Sequence, residues 1–319
     1  MPNHESQELM VVAGRQSPES RERILAAAGD LPVHFVASLQ DAGELLADAV
    51  AVAGTLTAEH LAAAPNLRWV HSWTAGVNND LTPEMVASDV VLTSSVGNGA
   101  IPLAEHSMLL MMMLDREVPR WMASQQSQAW ERFTHGELIG KTLGIYGVGH
   151  SGSDLALKAQ AFHMRVLGCR RNYRTAVPGI DQMYGPDQVK DFVAECDFVV
   201  VTAPFTPGTS GVFTADVFQA MKPTAFWICI SRGGIADDDA LLQALEEGWI
   251  AGAGIDAHGV EPLPSDSPFW TAPNTIITPH NGATTAGTAR RGVEIFVDNL
   301  RRFVAGQPLQ NIVDKVNGY

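Results

Sequence analysis

A glycine loop at 147–152, with glycines at its first, third and sixth positions, lies between an apolar run at 142–146 and an Ala- and Leu-rich run at 153–162. In a strand–loop–helix unit, the first glycine allows a tight turn, the second lets a ligand approach the backbone, and the third lets the helix pack on the strand. The helix N-terminus then favours an anion, because its N–H groups are unpaired. A second apolar run follows at 164–168. The pattern therefore predicts a dinucleotide-binding unit rather than an ordinary glycine-rich turn.

Two series of short apolar runs precede and follow a Leu- and Met-rich stretch at 102–120. The runs are bounded by Gly, Pro, Asn or Asp and separated by helix-like segments, which is typical of a parallel sheet covered on both faces. We therefore predict an α/β chain of two doubly wound parallel-sheet domains. We also expect long helices at 102–120 and 284–304 to cross between the domains, so that the first domain is discontinuous. The runs are 9–13, 33–36, 49–52, 67–70 and 90–93 in the first series, and 142–146, 164–168, 198–201, 225–230, 250–255 and 275–278 in the second.

Charge and cysteine content limit the partners of the chain. The formal net charge of −14 argues against nucleic acid and against an anionic membrane surface, because both bind a basic face. The three cysteines show no CxxC spacing, so we predict no metal site and no disulfide framework. Residues 1–12 hold no apolar run of signal-peptide length, and a reduced cytoplasmic setting is expected.

Two arginines follow the second strand of the dinucleotide-binding unit. NAD sites usually carry Asp or Glu there to bind the ribose 2′-hydroxyl, but this chain has Arg170 and Arg171. An arginine at this position accommodates a 2′-phosphate. We therefore predict that NADP(H) is preferred, with NAD(H) as the alternative. A solvated arginine pair at a strand end is the competing interpretation.

Three polar side chains follow successive strand-like runs near the end of the chain. They are Arg232, Glu261 and His280, and ligands of doubly wound sheets bind outside the carboxyl ends of the strands. Arginine can bind a carboxylate or polarise a carbonyl, histidine can transfer a proton near neutral pH, and a carboxylate can orient the histidine. His258 is the rival histidine, but it lacks the strand-end position. The trio predicts catalysis on an acidic carbonyl compound.

The segment 140–285 resembles the cofactor domain of the D-2-hydroxyacid dehydrogenase family, in its glyoxylate/hydroxypyruvate reductase-like branch. The similarity extends into the first domain. The resemblance implies a discontinuous flavodoxin-like substrate domain at 1–104 and 287–319, a Rossmann NAD(P)-binding domain at 105–286, and a homodimer. Beside the glycine loop, the matching strings are Ala203-Pro204-Phe205-Thr206 with Thr209, Met221-Lys222-Pro223, Arg232-Gly233, Asp237 with Ala240-Leu241, Asp256 with Glu261-Pro262, Thr278-Pro279-His280, Ala75-Gly76-Val77 and Ala104-Glu105-His106.

The resemblance also implies an oxidoreductase that reversibly reduces a 2-oxo acid to a D-2-hydroxy acid. In that reaction Arg232 binds the substrate, His280 donates the proton and Glu261 pairs with His280. With the two arginines added, the predicted cofactor residues are Gly147, Gly149, His150, Ser151, Gly152, Arg170, Arg171, Pro204, Thr209, Ile230, Arg232, Asp256 and His280. The predicted substrate residues are Ala75, Gly76, Val77, Asn98, Arg232 and His280.

The chain departs from the family pattern at three positions and leaves several alternatives open. Arg170 replaces the acidic residue, His150 replaces a common arginine of the glycine loop, and Cys229 replaces an asparagine. A nucleotide-sensing, corepressor-like interaction protein is the alternative function on this fold. Glyoxylate, hydroxypyruvate and larger 2-oxo acids all fit the same reacting groups. Trp73 is either a substrate-pocket or a core residue, and 121–133 is a candidate arm for a second subunit.

Overall fold

The computed structural model describes residues 8–318, and the chain divides into two compact units. Unit 1 combines Met1–Asn98 with Thr285–Tyr319, and unit 2 is Gly99–Thr284. The assignment of substrate to the first unit and cofactor to the second stays a prediction.

Unit 1 contains a parallel sheet of five strands. The elements before residue 98 are β1 (Leu9–Ala13), α1 (Pro18–Ala28), β2 (Val33–Val36), α2 (Leu45–Asp48), β3 (Ala49–Ala53), α3 (Ala58–Ala62), β4 (Trp69–Ser72), α4 (Pro83–Ala87) and β5 (Val91–Ser94). The strand order is β2-β1-β3-β4-β5, and every neighbouring pair is parallel. This is the flavodoxin-like order.

Unit 2 contains a parallel sheet of seven strands. Its elements are α5 (Ala100–Asp115), α6 (Val118–Gln126), β6 (Thr142–Tyr146), α7 (His150–Ala161), β7 (Arg165–Cys169), β8 (Gln182–Tyr184), α8 (Val189–Ala194), β9 (Phe198–Val201), α9 (Ala215–Ala220), β10 (Phe226–Cys229), α10 (Asp238–Glu246), β11 (Gly252–Ile255) and β12 (Thr275–Ile277). The order β8-β7-β6-β9-β10-β11-β12 is that of a Rossmann sheet with an added strand. The chain then returns to unit 1 as α11 (Ala286–Val304).

Apolar side chains cover both faces of each sheet. In unit 1, alternate residues of β1 enter different cores, so that Val11 packs with Leu46 while Met10 packs with Phe296 of α11. In unit 2, one face of the sheet packs against α5 and α7 and the other against α8, α9 and α10. The predicted fold class, two doubly wound parallel-sheet domains with Rossmann and flavodoxin-like strand orders, is confirmed.

The stretch predicted as one long helix at 102–120 is two helices. Glu117 has φ +52°, in the left-handed region, and separates α5 from α6. A continuous helix would bring the ring of Pro119 against the carbonyl of Asp115, four residues earlier, and would leave that carbonyl without its N–H partner. The prediction of one helix was therefore wrong for a local reason that the proline already indicates.

The units divide just before α5 and just before α11. The expectation that these two helices cross between domains is therefore wrong, because each helix belongs to one unit. The predicted boundaries, 104/105 and 286/287, lie inside α5 and in the first turn of α11. A helix buries its apolar face as one element, and Ala104, Met108 and Leu110 of α5 all enter one core of unit 2.

Candidate active site

The glycine loop joins β6 to α7, and its three glycines have different surroundings. A Cβ at Gly147, where φ is +98°, would lie 2.3 Å from the backbone N of Ala203, and a Cβ at Gly152 would lie 2.7 Å from the carbonyl O of Gly147. A Cβ at Gly149 would meet no atom within 4 Å. The outer glycines are therefore needed for packing, while the middle one leaves open space beside the backbone.

The N-terminus of α7 opens onto that space. Within the described residues, the backbone N–H groups of His150, Ser151 and Gly152 have no acceptor, and no side chain caps the helix. Unpaired N–H groups and the positive end of the helix dipole favour an anion at this point. The open space at Gly149 and these donors fit the pyrophosphate of a dinucleotide.

Arg170 and Arg171 follow β7, as predicted, but the Arg170 guanidinium already has partners. It donates to three backbone carbonyls, those of Val148 at 3.2 Å, Asn172 at 2.9 Å and Thr175 at 2.9 Å. Arg170 therefore connects the loop after β7 to the glycine loop. The side chain of Arg171 is exposed on the same loop.

Strand register brings the ends of β10, β11 and β12 side by side. Cys229 pairs with Ile255 and Ile255 pairs with Ile277, so Arg232 and His280 each lie three residues beyond paired positions. Neighbouring strands are about 4.8 Å apart. The ends of β10 and β12, which lie on either side of β11, are therefore close enough to contact one small ligand. The structure thus brings the predicted polar residues to one edge of the sheet.

Gly233 allows the loop after β10 to contact the loop after β11. A Cβ at Gly233 would lie 2.0 Å from the carbonyl carbon and oxygen of His258 and 2.3 Å from the backbone N of Gly259. Only a glycine fits against that backbone. The contact sets the position of Arg232, the preceding residue, relative to the loop that carries Glu261.

Glu261 and His280 form the central pair of the site. Nδ1 of His280 lies 2.9 Å from Oε1 and 2.8 Å from Oε2 of Glu261, and each side chain is 37% exposed. Burial opposes ionisation of the carboxyl, but the backbone N–H of His258 and the imidazole of His280 outweigh it and lower the pKa of Glu261. Nε2 of His280 has no protein partner within residues 8–318. The arrangement orients Nδ1 towards Glu261 and leaves Nε2 for a ligand.

Arg232 is half-buried and has no acidic partner. Its Nη1 donates to the carbonyl O of Ser231 at 2.7 Å, and it forms no ion pair with any described carboxylate. A guanidinium removed partly from water without a counter-ion attracts an anionic ligand.

The predicted cofactor residue Asp256 is fully buried and holds the loop of His280. Its Oδ1 accepts from Oγ1 of Thr278 at 2.6 Å and from the backbone N–H of Asn281 at 3.1 Å, and its Oδ2 accepts from the N–H of Gly282 at 3.1 Å. Nε2 of His106, on α5, lies 3.6 Å from the same carboxylate. Contact between Asp256 and a cofactor stays a prediction.

His258, the rival histidine, acts within the loops. It is 8% exposed, and its Nε2 lies 3.2 Å from the carbonyl O of Thr278. Its backbone N–H donates to Oε1 of Glu261 at 2.8 Å. The ring and the backbone of His258 therefore connect the loop of Glu261 to that of His280.

Two other predicted cofactor positions are engaged within the protein. Oγ1 of Thr209 donates to the carbonyl O of Pro204 at 2.7 Å and accepts from the N–H of Thr206 at 2.8 Å, which closes the turn after β9. Ile230 is 2% exposed and directly precedes the loop of Arg232.

The predicted substrate residues of unit 1 lie after β4 and before α5. Within the described residues, the N–H groups of Ala75, Gly76 and Val77 have no acceptor. Asn98 is 8% exposed, and its carbonyl O accepts from Nε of Arg291 at 2.6 Å.

The surroundings of Trp73 and of the 121–133 segment bear on the alternatives left open by the sequence. The Trp73 ring packs on His71 and Phe296 with centroids 5.6 and 4.8 Å away, which favours the core interpretation. Trp130 is 95% exposed, so a large apolar ring is open at the end of the candidate arm.

His106 and Asp80 are polar residues to which the sequence analysis assigned no role. Nε2 of His106 lies 3.0 Å from Oγ1 of Thr278, close to the loop of His280. Asp80 is 3% exposed beside the loop at 75–77. The only sequence signal was position, since His106 belongs to a string that resembles the family and Asp80 ends the polar run that follows Ala75-Gly76-Val77.

Residues 8–318 contain neither a cluster of metal-binding side chains nor a helix that could cross a membrane. No group of three or more His, Cys, Asp or Glu side chains in this part of the chain is arranged to hold a metal ion. No helix described there combines the length and apolar character needed to cross a membrane.

A protein-family model matches most of unit 2. Residues 108–282 match the model described as "D-isomer specific 2-hydroxyacid dehydrogenase, NAD binding domain". The matched segment covers the glycine loop, Arg232, Glu261 and His280.

Relatives with similar sequences include glyoxylate reductases and D-3-phosphoglycerate dehydrogenases. A glyoxylate reductase of Pyrococcus furiosus is 32% identical over 262 residues, 79% of this chain and 77% of that protein. A D-3-phosphoglycerate dehydrogenase of Methanocaldococcus jannaschii is 30% identical over 309 residues. The chain aligns over 94% of its own length with the latter but spans only 58% of that protein.

Solved structures with the same architecture cover nearly the whole chain. A D-isomer specific 2-hydroxyacid dehydrogenase family protein from Aeromonas salmonicida has a TM-score of 0.86 at 32% identity, and 96% of this chain and 99% of that chain are covered. An NADPH-dependent glyoxylate/hydroxypyruvate reductase from Sinorhizobium meliloti, solved with NADP and sulfate, has a TM-score of 0.84 at 29% identity over 98% of this chain and 100% of that one.

Proposed function

Because this chain belongs to the D-isomer specific 2-hydroxyacid dehydrogenase family, we propose that it reduces a 2-oxo acid to a D-2-hydroxy acid, reversibly, with NAD(P)H. The observation that carries the proposal is the contact of both Glu261 oxygens with Nδ1 of His280, at 2.9 and 2.8 Å. The pair lies at the sheet edge that also carries the glycine loop and Arg232.

His280 is the proposed proton donor in the reduction. Glu261 fixes the Nδ1–H and stabilises the charge of the protonated ring, so that Nε2 carries the proton to be transferred. Its free Nε2 and partial exposure support this role. In the reverse direction the neutral ring accepts the proton of the hydroxyl group.

Arg232 is the proposed electrophilic partner. A bound nicotinamide supplies or accepts the hydride, and negative charge develops on the carbonyl oxygen of the substrate. A guanidinium without a counter-ion stabilises that charge and can bind the substrate carboxylate. Its half-buried position and lack of an acidic partner support this role.

For the cofactor we propose a preference for NADP(H). The exposed Arg171 is the proposed reader of the 2′-phosphate, and Arg170 holds the loop by its three carbonyl contacts. No acidic side chain takes the usual position at this strand end, and related structures were solved with NADP. These observations support NADP(H), with NAD(H) as the second cofactor.

The proposed substrates come from the relatives, and the proposed assembly comes from the sequence. Glyoxylate and hydroxypyruvate come first because the named reductases act on them. A homodimer that uses the 121–133 segment and a cytoplasmic setting stay predictions of the sequence, and light scattering tests the dimer.

A steady-state screen tests the proposed function. Glyoxylate, hydroxypyruvate and larger 2-oxo acids are each supplied with NADPH and with NADH, and oxidation of the cofactor is followed by absorbance. We expect turnover of at least one acid, with the higher kcat/KM for NADPH. Tight binding of NADPH without turnover of any acid contradicts the proposal and favours the nucleotide-sensing alternative.

A further inference from the structure

The loop after β4 in unit 1 presents three consecutive N–H groups without a described acceptor, those of Ala75, Gly76 and Val77. Successive free N–H groups form a concavity that binds anions. The sequence predicts that this loop binds the substrate, and the inference rests on that prediction and on the proposed reduction of a 2-oxo acid. The direction of these N–H groups therefore matters for substrate binding.

A series of polar contacts runs from buried Asp80 to this loop. Oδ2 of Asp80 lies 2.7 Å from Oγ of Ser72, which lies 3.0 Å from Oγ1 of Thr74. Oγ1 of Thr74 donates to the carbonyl O of Gly76 at 2.8 Å. That carbonyl and the N–H of Val77 belong to one planar peptide group, so fixing the carbonyl also fixes the direction of the N–H.

The three contacts need three hydrogens, and the two hydroxyl groups supply two. A carbonyl oxygen only accepts, so the hydroxyl hydrogen of Thr74 is used on Gly76. The contact between the hydroxyls then uses the hydrogen of Ser72. The remaining contact, between Ser72 and Asp80, has a hydrogen only when Asp80 itself carries a proton on Oδ2.

The second oxygen of Asp80 is consistent with a neutral acid. Oδ1 is buried and has no hydrogen-bond partner among the described residues. Burying a charged oxygen without a donor costs more than burying the carbonyl oxygen of a neutral carboxyl group. Burial raises the pKa of Asp80, and the hydroxyl groups of Ser72 and Thr55 oppose that shift without cancelling it. No charged side chain of residues 8–318 acts on this carboxyl.

We propose that protonated Asp80 is a positioning residue whose hydrogen-bond series, through Ser72 and Thr74, holds the Gly76–Val77 peptide in the direction that receives the substrate carboxylate. The series is complete below the pKa of the folded state and loses one hydrogen as the pH rises through it. Because this loop binds the carboxylate and takes no part in proton transfer, the KM for the acid changes more than kcat.

Asp80→Asn separates this role from a general need for a carboxyl group. The asparagine amide donates to Ser72 at every pH, so it reproduces the protonated acid. Below the pKa of Asp80 we expect the KM of this variant for the 2-oxo acid to stay within about twofold of the wild-type KM. As the pH rises through that pKa, the wild-type KM rises and the KM of the variant does not. Asp30→Asn makes the same change at an exposed carboxyl of unit 1 and keeps the wild-type profile. An Asp80→Asn profile that rises like wild type overturns the proposal.

Thr74→Val tests the last contact of the series. The side chain of Thr74 is exposed, so removal of its hydroxyl leaves the core intact. We expect the KM for the acid to rise about tenfold while kcat changes less than about threefold, and Thr74→Ser to restore the wild-type KM. An unchanged KM in Thr74→Val contradicts the proposal.

Infrared spectroscopy reads the proton of Asp80 without turnover. A protonated carboxyl group absorbs apart from carboxylates, and we expect the band of Asp80 to persist to a higher pH than those of exposed carboxyl groups and to be absent in Asp80→Asn. If wild type reduces no 2-oxo acid, the proposed function fails, yet this band still decides whether Asp80 is protonated. Loss of the band at the same pH as the bands of exposed carboxyl groups overturns the inference.

Discussion

The backbone N–H of Gly282 donates to Oδ2 of Asp256 at 3.1 Å, and the two groups fit together only because residue 282 has no Cβ. A Cβ there would lie 2.9 Å from that oxygen and 2.9 Å from Cδ2 of His106. The contact holds the loop that carries His280, two residues earlier. The position of the proposed acid therefore depends on a fully buried carboxylate and on a glycine.

Gly282→Ala is expected to lower kcat, because the added methyl group displaces this loop. A displacement of about 1 Å at a reacting group can cost on the order of 10²-fold in rate. Gly287→Ala is the matched control, since its Cβ would meet mainly the flexible end of Arg291. The kcat of both variants is measured at saturating substrate. An equal loss of kcat in the two variants contradicts the role given to the Gly282–Asp256 contact.

His280→Ala should lose about 10²–10⁴-fold in kcat through the missing acid–base group. Binding of NADPH, measured by its fluorescence, should persist in this variant because the glycine loop is unchanged. His34→Ala, at an exposed histidine of unit 1, is the control with wild-type turnover. A His280→Ala enzyme of normal kcat removes His280 from the mechanism.

Glu261→Gln is expected to lower activity and to move the pH–rate profile for reduction towards acid. The lowered pKa of Glu261 means that the wild-type carboxylate stays charged as the pH falls, until the pH reaches that lowered pKa. The neutral amide no longer stabilises the protonated ring of His280, so the active form persists only at lower pH. Profiles of kcat/KM against pH for both proteins test this, and superimposable profiles argue against the pairing.

The reacting groups were predictable because they follow strand ends, and strand ends are visible in local sequence. Arg232, Glu261 and His280 each follow an apolar run, and parallel strands bring such positions to one edge. The roles of Asp256 and His258 within the loops were not predictable. They depend on contacts with backbone groups 25 and 20 residues away along the chain, which carry no sequence signal.

Most elements of the fold were predictable from local sequence, and the missed ones have local causes. The five strands of unit 1 were all predicted, but β8, only Gln182–Tyr184, was missed because it is short and begins with a polar residue. The break at Glu117 was missed because the Leu- and Met-rich helical pattern before it was extended across Pro119 to Arg120. The polar series at Asp80 depends on how β4 and its loop fold together.

Arg171→Ala should raise the KM for NADPH about 10- to 100-fold and leave the KM for NADH nearly unchanged, since the contact with the 2′-phosphate is a charge-assisted hydrogen bond. Arg174→Ala, on the same loop, is the matched control. Steady-state kinetics with both cofactors check the prediction. Equal effects on the two cofactors would mean that Arg171 supports the loop rather than the phosphate.

His71 makes the stability of unit 1 depend on pH. Burial lowers the pKa of His71 to about 3, and the ring lies between Thr93 and Ser95 at 2.9 and 3.1 Å. The unfolded chain takes up a proton near pH ~6.5 and the folded chain does not. As the pH falls from the unfolded to the folded pKa of His71, the free energy of unfolding should therefore drop by about 1.4 kcal/mol per pH unit. Urea unfolding of wild type and His71→Gln at neutral pH and near pH ~5 measures the difference. An identical pH dependence in the two proteins contradicts the prediction.

Isotope transfer tests the central claim most directly. Wild type is supplied with NADPH that carries deuterium at the transferable position of the nicotinamide, together with the best 2-oxo acid of the screen, and the product is resolved by configuration. The account predicts deuterium on the carbon that bears the hydroxyl group, in the D-enantiomer alone, with a rate that falls steeply in His280→Ala. Labelled L-product, or cofactor oxidation without label in the hydroxy acid, would contradict it.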